Sequence, residues 1–178
     1  MPKTILETPR LRLQELEDAD AGFLTELLNT DGFLRHIGDR GVRTPADALR
    51  YLAEGPYASY AANGFGLWKA ARKADGRAVG MSGLVKRDTL PHPDLGYAFL
   101  PQHSGQGLAS EAGAAVLAHG FETLGLARIL AIVTPHNTGS RRVLEKLGLR
   151  HLGDQAFDAE TLRVYGIDRP GTLAWNRQ

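Results

Sequence analysis

The segment 104–109, Ser-Gly-Gln-Gly-Leu-Ala, places two glycines, Gly105 and Gly107, between a predicted strand and a predicted helix. Glycine lets the main chain approach a ligand closely, and the first N–H groups of a helix have no partner within the helix. The helix dipole adds about half a positive charge at the same place. This arrangement predicts a site that binds a diphosphate through main-chain N–H groups. The alternative is a tight turn whose glycines serve packing only.

Two nucleotide-binding motifs can be tested against this turn. A Walker A loop needs Gly-Lys-Ser/Thr, a combination that the sequence lacks. A dinucleotide-binding fold needs a third glycine or alanine in the turn and an acidic residue at the end of the next strand. Ser110 occupies the third position, and the predicted strand that ends at Val133 is followed by Thr-Pro-His-Asn, without a carboxylate. The sequence therefore favours neither kind of nucleotide site.

Hydrophobic periodicity and turn residues predict the elements that must position this turn. Alternation and an Asp-Gly turn predict strands, with one hairpin, over 10–16, 66–72, 78–86, 94–100, 128–133, 149–157 and 162–168. Helical periodicity and capping residues predict helices over 18–28, 45–64, 107–125 and 137–147, and segment 31–43 is predicted as a loop with a helical turn. The predicted fold class is a mixed α/β (or α+β) domain over residues 1–178. One right-handed crossover joins strand 94–100 to strand 128–133.

Several sequence blocks occur in the order found in a known enzyme family. An acidic residue with x-G-Y, then x-x-x-P and a G-x-G-x-A-x-E-A run, falls on Asp94, Gly96, Tyr97, Pro101, Gly105, Gly107, Ala109, Glu111 and Ala112. A second block, N-x-x-S-x-x-V-L-E-K-L-G-F, falls on Asn137, Ser140, Val143, Leu144, Glu145, Lys146, Leu147, Gly148 and Leu149. Shorter matches are Thr8-Pro9-Arg10-Leu11 and Val79-Gly80 before Gly83. Over nearly its whole length the chain resembles the GNAT family of N-acetyltransferases, in the branch of the ribosomal-protein-alanine acetyltransferases.

This resemblance implies a GNAT-like fold: a mixed, mostly antiparallel central sheet flanked by helices, with one β-α-β crossover that carries the acetyl-CoA loop. In the family this loop reads Q/R-x-x-G-x-G/A, so Ser104 replaces the usual side chain at its first position. The strand before the loop and the next strand are implied to splay apart around pantetheine, which would bond the main chain of Phe99. The residues implied in binding acetyl-CoA are Phe99, Leu100, Ser104, Gly105, Gln106, Gly107, Leu108, Ala109, Ser110, Asn137 and Ser140.

The resemblance also indicates two catalytic residues, Asp94 and Ser140. Asp94 would accept a proton from the amine, although an ordinary Asp pKa near 3.9 requires a relay water or partial burial. Its alternative is a solvated carboxylate at the start of a strand. Ser140 would donate to the leaving sulfur, or else bond only its own helix start. Leu144 stands where many relatives have a tyrosine acid, but a thiolate with a pKa of roughly 8.5 can leave without one. Asn137 would bind pantetheine, cap the helix, or do both.

The composition argues against several other classes of protein. The chain has 178 residues, a formal net charge of +1 and no cysteine, which indicates neither nucleic-acid binding nor thiolate chemistry. No apolar run approaches the ~20 residues of a membrane span, and the first residues lack a signal-peptide core. The six histidines show no metal-binding spacing, although His103 and His136 are predicted to flank the cofactor as exposed loop residues. We therefore expect a cytoplasmic protein without a metal.

The activity expected on these grounds is acetyl-CoA-dependent N-acetyl transfer. The acetyl group would pass directly to a primary amine in a ternary complex, and a protein N-terminal α-amine is the expected acceptor. Small amines (polyamines, amino acids or aminoglycosides) are alternative acceptors, and a non-catalytic acyl-CoA-binding module is the alternative from another class. The acceptor surface is expected to come from the first two helices and segment 31–43, with the last strands opposite. The protein is expected to be a monomer or a homodimer.

Overall fold

The computed structural model describes residues 2–158 and 160–171, and within them eight strands form one sheet. The strands are β1 (Thr4–Glu7), β2 (Leu11–Gln14), β3 (Leu67–Arg72), β4 (Ala78–Val85), β5 (Asp94–Phe99), β6 (Arg128–Val133), β7 (Arg150–Phe157) and β8 (Glu160–Asp168). Their order across the sheet is β1-β2-β3-β4-β5-β6-β8-β7, and only β5 and β6 are parallel neighbours. The predicted mixed, mostly antiparallel sheet is confirmed. The predicted domain 1–178 includes residues 1, 159 and 172–178, which lie outside the described residues.

The helices lie between β2 and β3 and on both sides of β6 in the chain. They are α1 (Ala21–Leu27), α2 (Asp31–His36), α3 (Pro45–Leu52), α4 (Ala58–Asn63), α5 (Leu108–Glu122) and α6 (Thr138–Lys146). A π-helical turn over Ala53–Tyr57 contains Pro56 and joins α3 to α4. Gly64 ends α4 in the left-handed conformation, with φ +75°. No helix among the described residues is long and apolar enough to cross a membrane.

Two elements near the N-terminus differ from the sequence-based prediction. β1 was not predicted, because four residues with only partial burial show no clear alternation; it pairs with β2 at the edge of the sheet. Segment 31–43 contains a complete short helix, α2, where a loop with a helical turn was predicted. Thr30 Oγ1 accepts the Phe33 N–H at 3.3 Å and caps this helix. The glycines of the segment concealed its helical pattern.

Two apolar cores cover the two faces of the sheet. On the first face, α5 and α6 pack against the sheet in a core that includes Trp68 and Leu144. On the second face, α1, α2 and α3 pack in a core that includes Leu24 and Met81. Because side chains alternate along a strand, a strand can contribute to both cores, as β3 does with Trp68 on the first face and Leu67 on the second. The side chains of β5 and β6 can therefore be assigned to one face of the sheet or the other by their position in the strand.

A buried ion pair fixes the start of α1 on the second face. Lys69 Nζ lies 2.9 Å from Asp20 Oδ1, and both side chains are about one-tenth exposed. Asp20 Oδ2 also accepts the Glu17 N–H at 2.8 Å. Lys69 lies opposite Met81 in the sheet and therefore points to the same face. The pair joins the start of α1 to β3 of the sheet.

Candidate active site

The strands β5 and β6 separate after a single paired position. Asp94 pairs with Leu130, and the Leu130 N–H donates to the Pro93 carbonyl at 2.9 Å. Past this position β5 and β6 share no further pairs in the described part of the chain, whereas β4 follows β5 as far as Phe99. On its other side β6 stays paired with β8 over its whole length. A gap that opens toward the C-terminal ends of β5 and β6 therefore interrupts the sheet.

Main-chain groups of β5 point into this gap at every second residue. The Leu100 N–H donates to the Val79 carbonyl in β4 at 2.9 Å, whereas the Pro93 carbonyl points toward β6. Since main-chain groups alternate in direction along a strand, those of Tyr97 and Phe99 face the gap. This direction suits the predicted contact between the Phe99 main chain and an extended ligand. Leu100 offers neither its N–H nor its side chain, which is buried in the core of the second face.

The glycine turn follows β5 at the open end of the gap. Gly105 and Gly107 have φ of +75° and +78°, the left-handed region that favours glycine. The Gly107 carbonyl accepts the Glu111 N–H at 3.0 Å, which begins the hydrogen bonding of α5. Three N–H groups precede that bond and have no carbonyl partner within the helix, those of Leu108, Ala109 and Ser110. The turn thus has main-chain donors without helical partners at the place where the sequence predicts an anion site.

The hydrogen bonds of the turn to the rest of the described chain come from its main chain and not from the side chains of Ser104 and Gln106. Ser104 and Gln106 are both exposed, and the Ser104 N–H is bonded to the Pro101 carbonyl at 3.1 Å. The Gln106 carbonyl accepts Arg10 Nη1 at 2.9 Å. Sequence reasoning missed Arg10 as a residue of this site, although the match at 8–11 had identified its segment. The guanidinium group of Arg10, from outside the turn, therefore lies beside the glycine turn.

Asp94 begins β5 at the closed end of the gap, with its side chain 1% exposed. Arg87 Nε lies 3.0 Å from Asp94 Oδ1. Burial raises the pKa of Asp94 to about 6, although the Arg87 guanidinium acts to lower it. Asp94 lies opposite Val85 in the sheet and points to the second face, as Met81 does. The alternative of a solvated carboxylate is wrong, because the side chain is buried.

Ser140 lies in the first turn of α6, where it meets Tyr97 of β5. The Tyr97 hydroxyl lies 2.6 Å from Ser140 Oγ, and it also donates to the Ser140 carbonyl at 3.2 Å. Burial raises the pKa of Tyr97 to about 12, with the Ser140 bond acting in the opposite direction. Sequence reasoning missed Tyr97 as a site residue. Its signal was the strand alternation, which places Tyr97 on the same face as Leu95 and therefore as α6.

Two other residues of the second sequence block have clear positions. Asn137 Oδ1 accepts the Ser140 N–H at 3.2 Å, which confirms the predicted helix cap. The amide NH₂ of Asn137 makes no hydrogen bond to the described residues and can donate to a ligand. Leu144 is 1% exposed in the core of the first face. It has no proton to donate, as its residue type indicates.

Two histidines meet on the second face beside the open end of β6. His36, at the end of α2, has Nδ1 3.3 Å from Thr134 Oγ1, and its ring centroid lies 5.1 Å from that of His136. Burial, followed by His136 and Arg35, lowers the pKa of His36. Segment 31–43 therefore contacts the rim of the gap, where the acceptor surface was predicted. Within residues 2–158 and 160–171, no cluster of three or more His, Asp or Glu side chains could hold a metal ion.

Known proteins resemble the chain in both sequence and structure. A sequence profile of the family described as "Acetyltransferase (GNAT) domain" matches residues 10–150. The "Uncharacterized N-acetyltransferase YoaA" of Bacillus subtilis is 30% identical over 151 residues, which are 84% of each chain. The acetyltransferase (GNAT family) from Bacillus anthracis is 25% identical with a TM-score of 0.77, and the alignment covers 92% of this chain and 98% of that one.

More distant structures share the fold alone. The ribosomal-protein-S5-alanine acetyltransferase from Vibrio fischeri is 16% identical with a TM-score of 0.71, over 93% of this chain and 97% of that one. A spermidine N-acetyltransferase chimera that includes the Vibrio cholerae protein is 17% identical with a TM-score of 0.74, over 94% and 99% of the two chains. One of these proteins is named for a ribosomal-protein acceptor and the other for a polyamine.

Proposed function

The chain belongs to the GNAT family of acetyltransferases, and we propose that it transfers acetyl from acetyl-CoA directly to a primary amine in a ternary complex. One observation carries this proposal: the gap between β5 and β6 opens beside the glycine turn. Pantetheine is an extended chain with amide groups, which suits the main-chain groups of Tyr97 and Phe99. The diphosphate suits the N–H groups at the start of α5. Both ligand parts thus meet matching donors on neighbouring elements.

The diphosphate subsite consists mainly of main chain in this proposal. Its residues are Ser104, Gly105, Gln106, Gly107, Leu108, Ala109 and Ser110. Ser104 lacks the Gln or Arg side chain of the family loop, but the N–H groups do not depend on it. The amide NH₂ of Asn137 is the proposed side-chain donor to pantetheine. A main-chain N–H of β5 that faces the gap would polarise the thioester carbonyl.

Asp94 is the proposed general base. The amine must lose a proton to attack, and a carboxyl with a pKa of about 6 is closer to neutral operating pH than the ordinary value of 3.8. Because the side chain is 1% exposed, the proton passes through a water between the amine and Asp94. Asp94 points to the second face, where α2 contacts the rim of the gap. The base and the acceptor surface therefore lie on the same side of the sheet.

Ser140 and Tyr97 are the proposed donors to the sulfur, which leaves when the N–C bond forms and the C–S bond breaks. Ser140 Oγ donates a hydrogen bond to the sulfur as negative charge forms there, and the Tyr97 hydroxyl donates to Ser140 Oγ across 2.6 Å. Both hydroxyls keep their protons, and the thiolate takes its proton from solvent after it leaves. These hydrogen bonds assist the reaction without controlling it, since a thiolate with a pKa of roughly 8.5 leaves tolerably alone. The assignment places a hydrogen-bond donor at the sulfur in place of the acid that Leu144 cannot provide.

An α-amine is the proposed acceptor. A peptide α-amine has a pKa near 7.7–8.0, whereas a lysine ammonium has about 10.4, and the difference corresponds to roughly 3.4 kcal/mol of deprotonation at neutral pH. A single aspartate with a pKa of about 6 handles the α-amine more easily. The test compares kcat/KM for a peptide with a free N-terminus, the same peptide blocked there but carrying lysine, and a polyamine. Faster turnover of the lysine peptide or the polyamine would refute the α-amine assignment.

Thermal melting tests the identity of the acyl donor independently of the acceptor. CoA at 100 times its Kd stabilises a protein that binds it by about 2.7 kcal/mol. We expect a matching rise in Tm with CoA or acetyl-CoA and none with NAD. A rise with NAD and none with CoA would overturn the assignment. CoA binding without transfer to any amine would favour the acyl-CoA-binding module. Cytoplasmic location, one domain over 1–178 and a monomer or homodimer stay predictions.

A further inference from the structure

Arg10, which precedes β2, reaches the glycine turn from a distant part of the sequence. Its Nη1 donates to the Gln106 carbonyl at 2.9 Å, and its Nε donates to Glu111 Oε1 at 2.8 Å. Its Nη2 lies 3.5 Å from the position that a Cβ on Gly107 would occupy. The guanidinium group therefore lies beside Gly107, the residue that caps the start of α5, and bonds to residues that precede and follow it in sequence. Arg10 is about half exposed, with 47% of its side chain accessible.

The Glu111 carboxylate anchors this guanidinium. Glu111 Oε2 accepts the Thr8 hydroxyl at 2.6 Å and the Arg10 N–H at 3.0 Å. Burial acts to raise the pKa of Glu111, but the hydrogen bonds from Thr8 and Arg10 outweigh it and hold this pKa below its ordinary value. The carboxylate is therefore charged at neutral pH. Arg10 is held in one orientation by partners in the turn and in the first turn of α5.

Glu111 carries a negative charge that must be neutralised before the turn can bind an anion, and Arg10 neutralises it. A carboxylate in the first turn of α5 lies close to N–H groups that are to bind a diphosphate, and it would repel that anion unless a cation neutralised it. Arg10 supplies the cation directly between Glu111 and the turn. A guanidinium has five N–H donors, and the bonds to Gln106 and Glu111 use two of them. The guanidinium nitrogen Nη2, which lies beside Gly107, faces the turn.

We propose that Arg10 is a positioning residue for the diphosphate of acetyl-CoA. It holds the Gln106–Gly107 peptide in its binding conformation and cancels the charge of Glu111. It thereby removes, from outside the turn, a repulsion that the uncharged Ser104 cannot offset from within it. This inference rests on the proposed function, because it takes the glycine turn as the diphosphate subsite.

Steady-state kinetics with two acyl donors test this role. S-acetylpantetheine lacks the diphosphate that acetyl-CoA carries, so only acetyl-CoA should respond to Arg10. We expect R10A to raise KM for acetyl-CoA about tenfold or more, with kcat within about twofold of wild type and kcat/KM for S-acetylpantetheine unchanged. E111Q in the R10A background should recover part of the KM, because it removes the repelling charge. An unchanged KM for acetyl-CoA, or an equal loss with both donors, would overturn the proposal.

Matched variants separate this role from a general loss of stability. R12A removes an exposed arginine of β2 that pairs with Glu7 at 3.1 Å, and we expect no change with either donor. R10K keeps the charge but loses the forked geometry, so its KM for acetyl-CoA should lie between wild type and R10A; R10K decides the question if R10A does not fold. Wild-type protein that binds no CoA would refute the proposed function. Wild-type turnover with an unaffected R10A and R10K would refute only the role of Arg10.

Discussion

The hydroxyl of Tyr97 lies 2.6 Å from Ser140 Oγ and connects β5 to α6 on the first face of the sheet, beside the gap. Burial raises the pKa of Tyr97 to about 12, so the phenol carries its proton at any pH at which the enzyme would work. In the mechanism that we propose, Ser140 donates to the sulfur and Tyr97 donates to Ser140. The two hydroxyls, contributed by two separate sequence blocks, would then act as one hydrogen-bonding unit.

Removal of either hydroxyl should slow the reaction modestly. We expect Tyr97→Phe and Ser140→Ala each to lower kcat by about tenfold or less, because the thiolate leaves tolerably unaided. The double variant should be little slower than Ser140→Ala alone, since the two groups act as a unit. CoA affinity, measured by titration calorimetry, should stay near wild type in Tyr97→Phe. Additive losses in the double variant would mean that the two hydroxyls act separately.

Replacement of Asp94 should lower activity and should remove the decrease in activity near pH 6. Asp94→Asn should lower kcat by roughly 10²-fold while CoA affinity stays near wild type. In the wild type, kcat should fall as the pH drops through about 6, because protonated Asp94 accepts no further proton. The variant should lack this acid limb. An acid limb that persists near pH 6 in Asp94→Asn would assign the titration to another group, such as His36.

Asp94→Asn should also stabilise the fold relative to wild type, and by more as the pH rises from 4 to 7. Because burial raises the pKa of Asp94 from 3.8 to about 6, the stability tied to its protonated form is complete below pH 3.8 and is lost as the pH rises through 6. This loss is about 3 kcal/mol at most. Asp94→Asn cannot ionise, so its advantage in the free energy of unfolding should grow from pH 4 to pH 7. Urea unfolding at several pH values measures it.

A control for that experiment lies in the connection between β4 and β5 that leads to Asp94. Asp88 is exposed, so Asp88→Asn should show no comparable growth in stability with pH. If Asp94→Asn is destabilised at pH 7 relative to wild type, the Arg87 ion pair outweighs the burial of the charge. That outcome would favour a purely structural Asp94.

Gly107 should be sensitive to any side chain. Its φ of +78° strains an L-residue, and a new Cβ would lie 3.5 Å from Arg10 Nη2. We expect Gly107→Val to weaken CoA binding at least tenfold, whereas Ser104→Ala should change it little. Gly64→Ala imposes similar strain at φ +75° but lies outside the site, so it should affect stability alone. Equal CoA affinity in Gly107→Val and Gly64→Ala would show that the turn does not contact the coenzyme.

The central part of the fold could be predicted because its signals are local. The apolar run of β6, predicted over 128–133, coincides with Arg128–Val133, and Gly107 marks the start of α5. Position-specific motifs indicated Asp94 and Ser140 as catalytic residues, and these roles stay predictions. The edge strand β1 and the short helix α2 were missed or understated, because their few residues show little periodicity.

The environments of the site residues could not be predicted, since they depend on contacts between distant segments. Asp94 is buried at the position where β5 pairs with Leu130 of β6, which is 36 residues away in sequence. The contact of Tyr97 with Ser140 spans 43 residues of sequence, and that of Arg10 with Glu111 spans 101. Residue type indicated the chemistry in each case, and only the folded chain supplied the partner that sets the charge or holds the proton.

Acetyl transfer itself is the most direct test of the central claim. Free thiol is measured after wild-type protein is mixed with acetyl-CoA and a peptide that has a free N-terminus, and the peptide mass is measured in the same sample. We expect thiol release equal to the amount of peptide that gains one acetyl group, with Asp94→Asn slower by roughly 10²-fold. CoA binding without thiol release, for this peptide and for lysine peptides, polyamines and aminoglycosides alike, would contradict the assignment as an N-acetyltransferase.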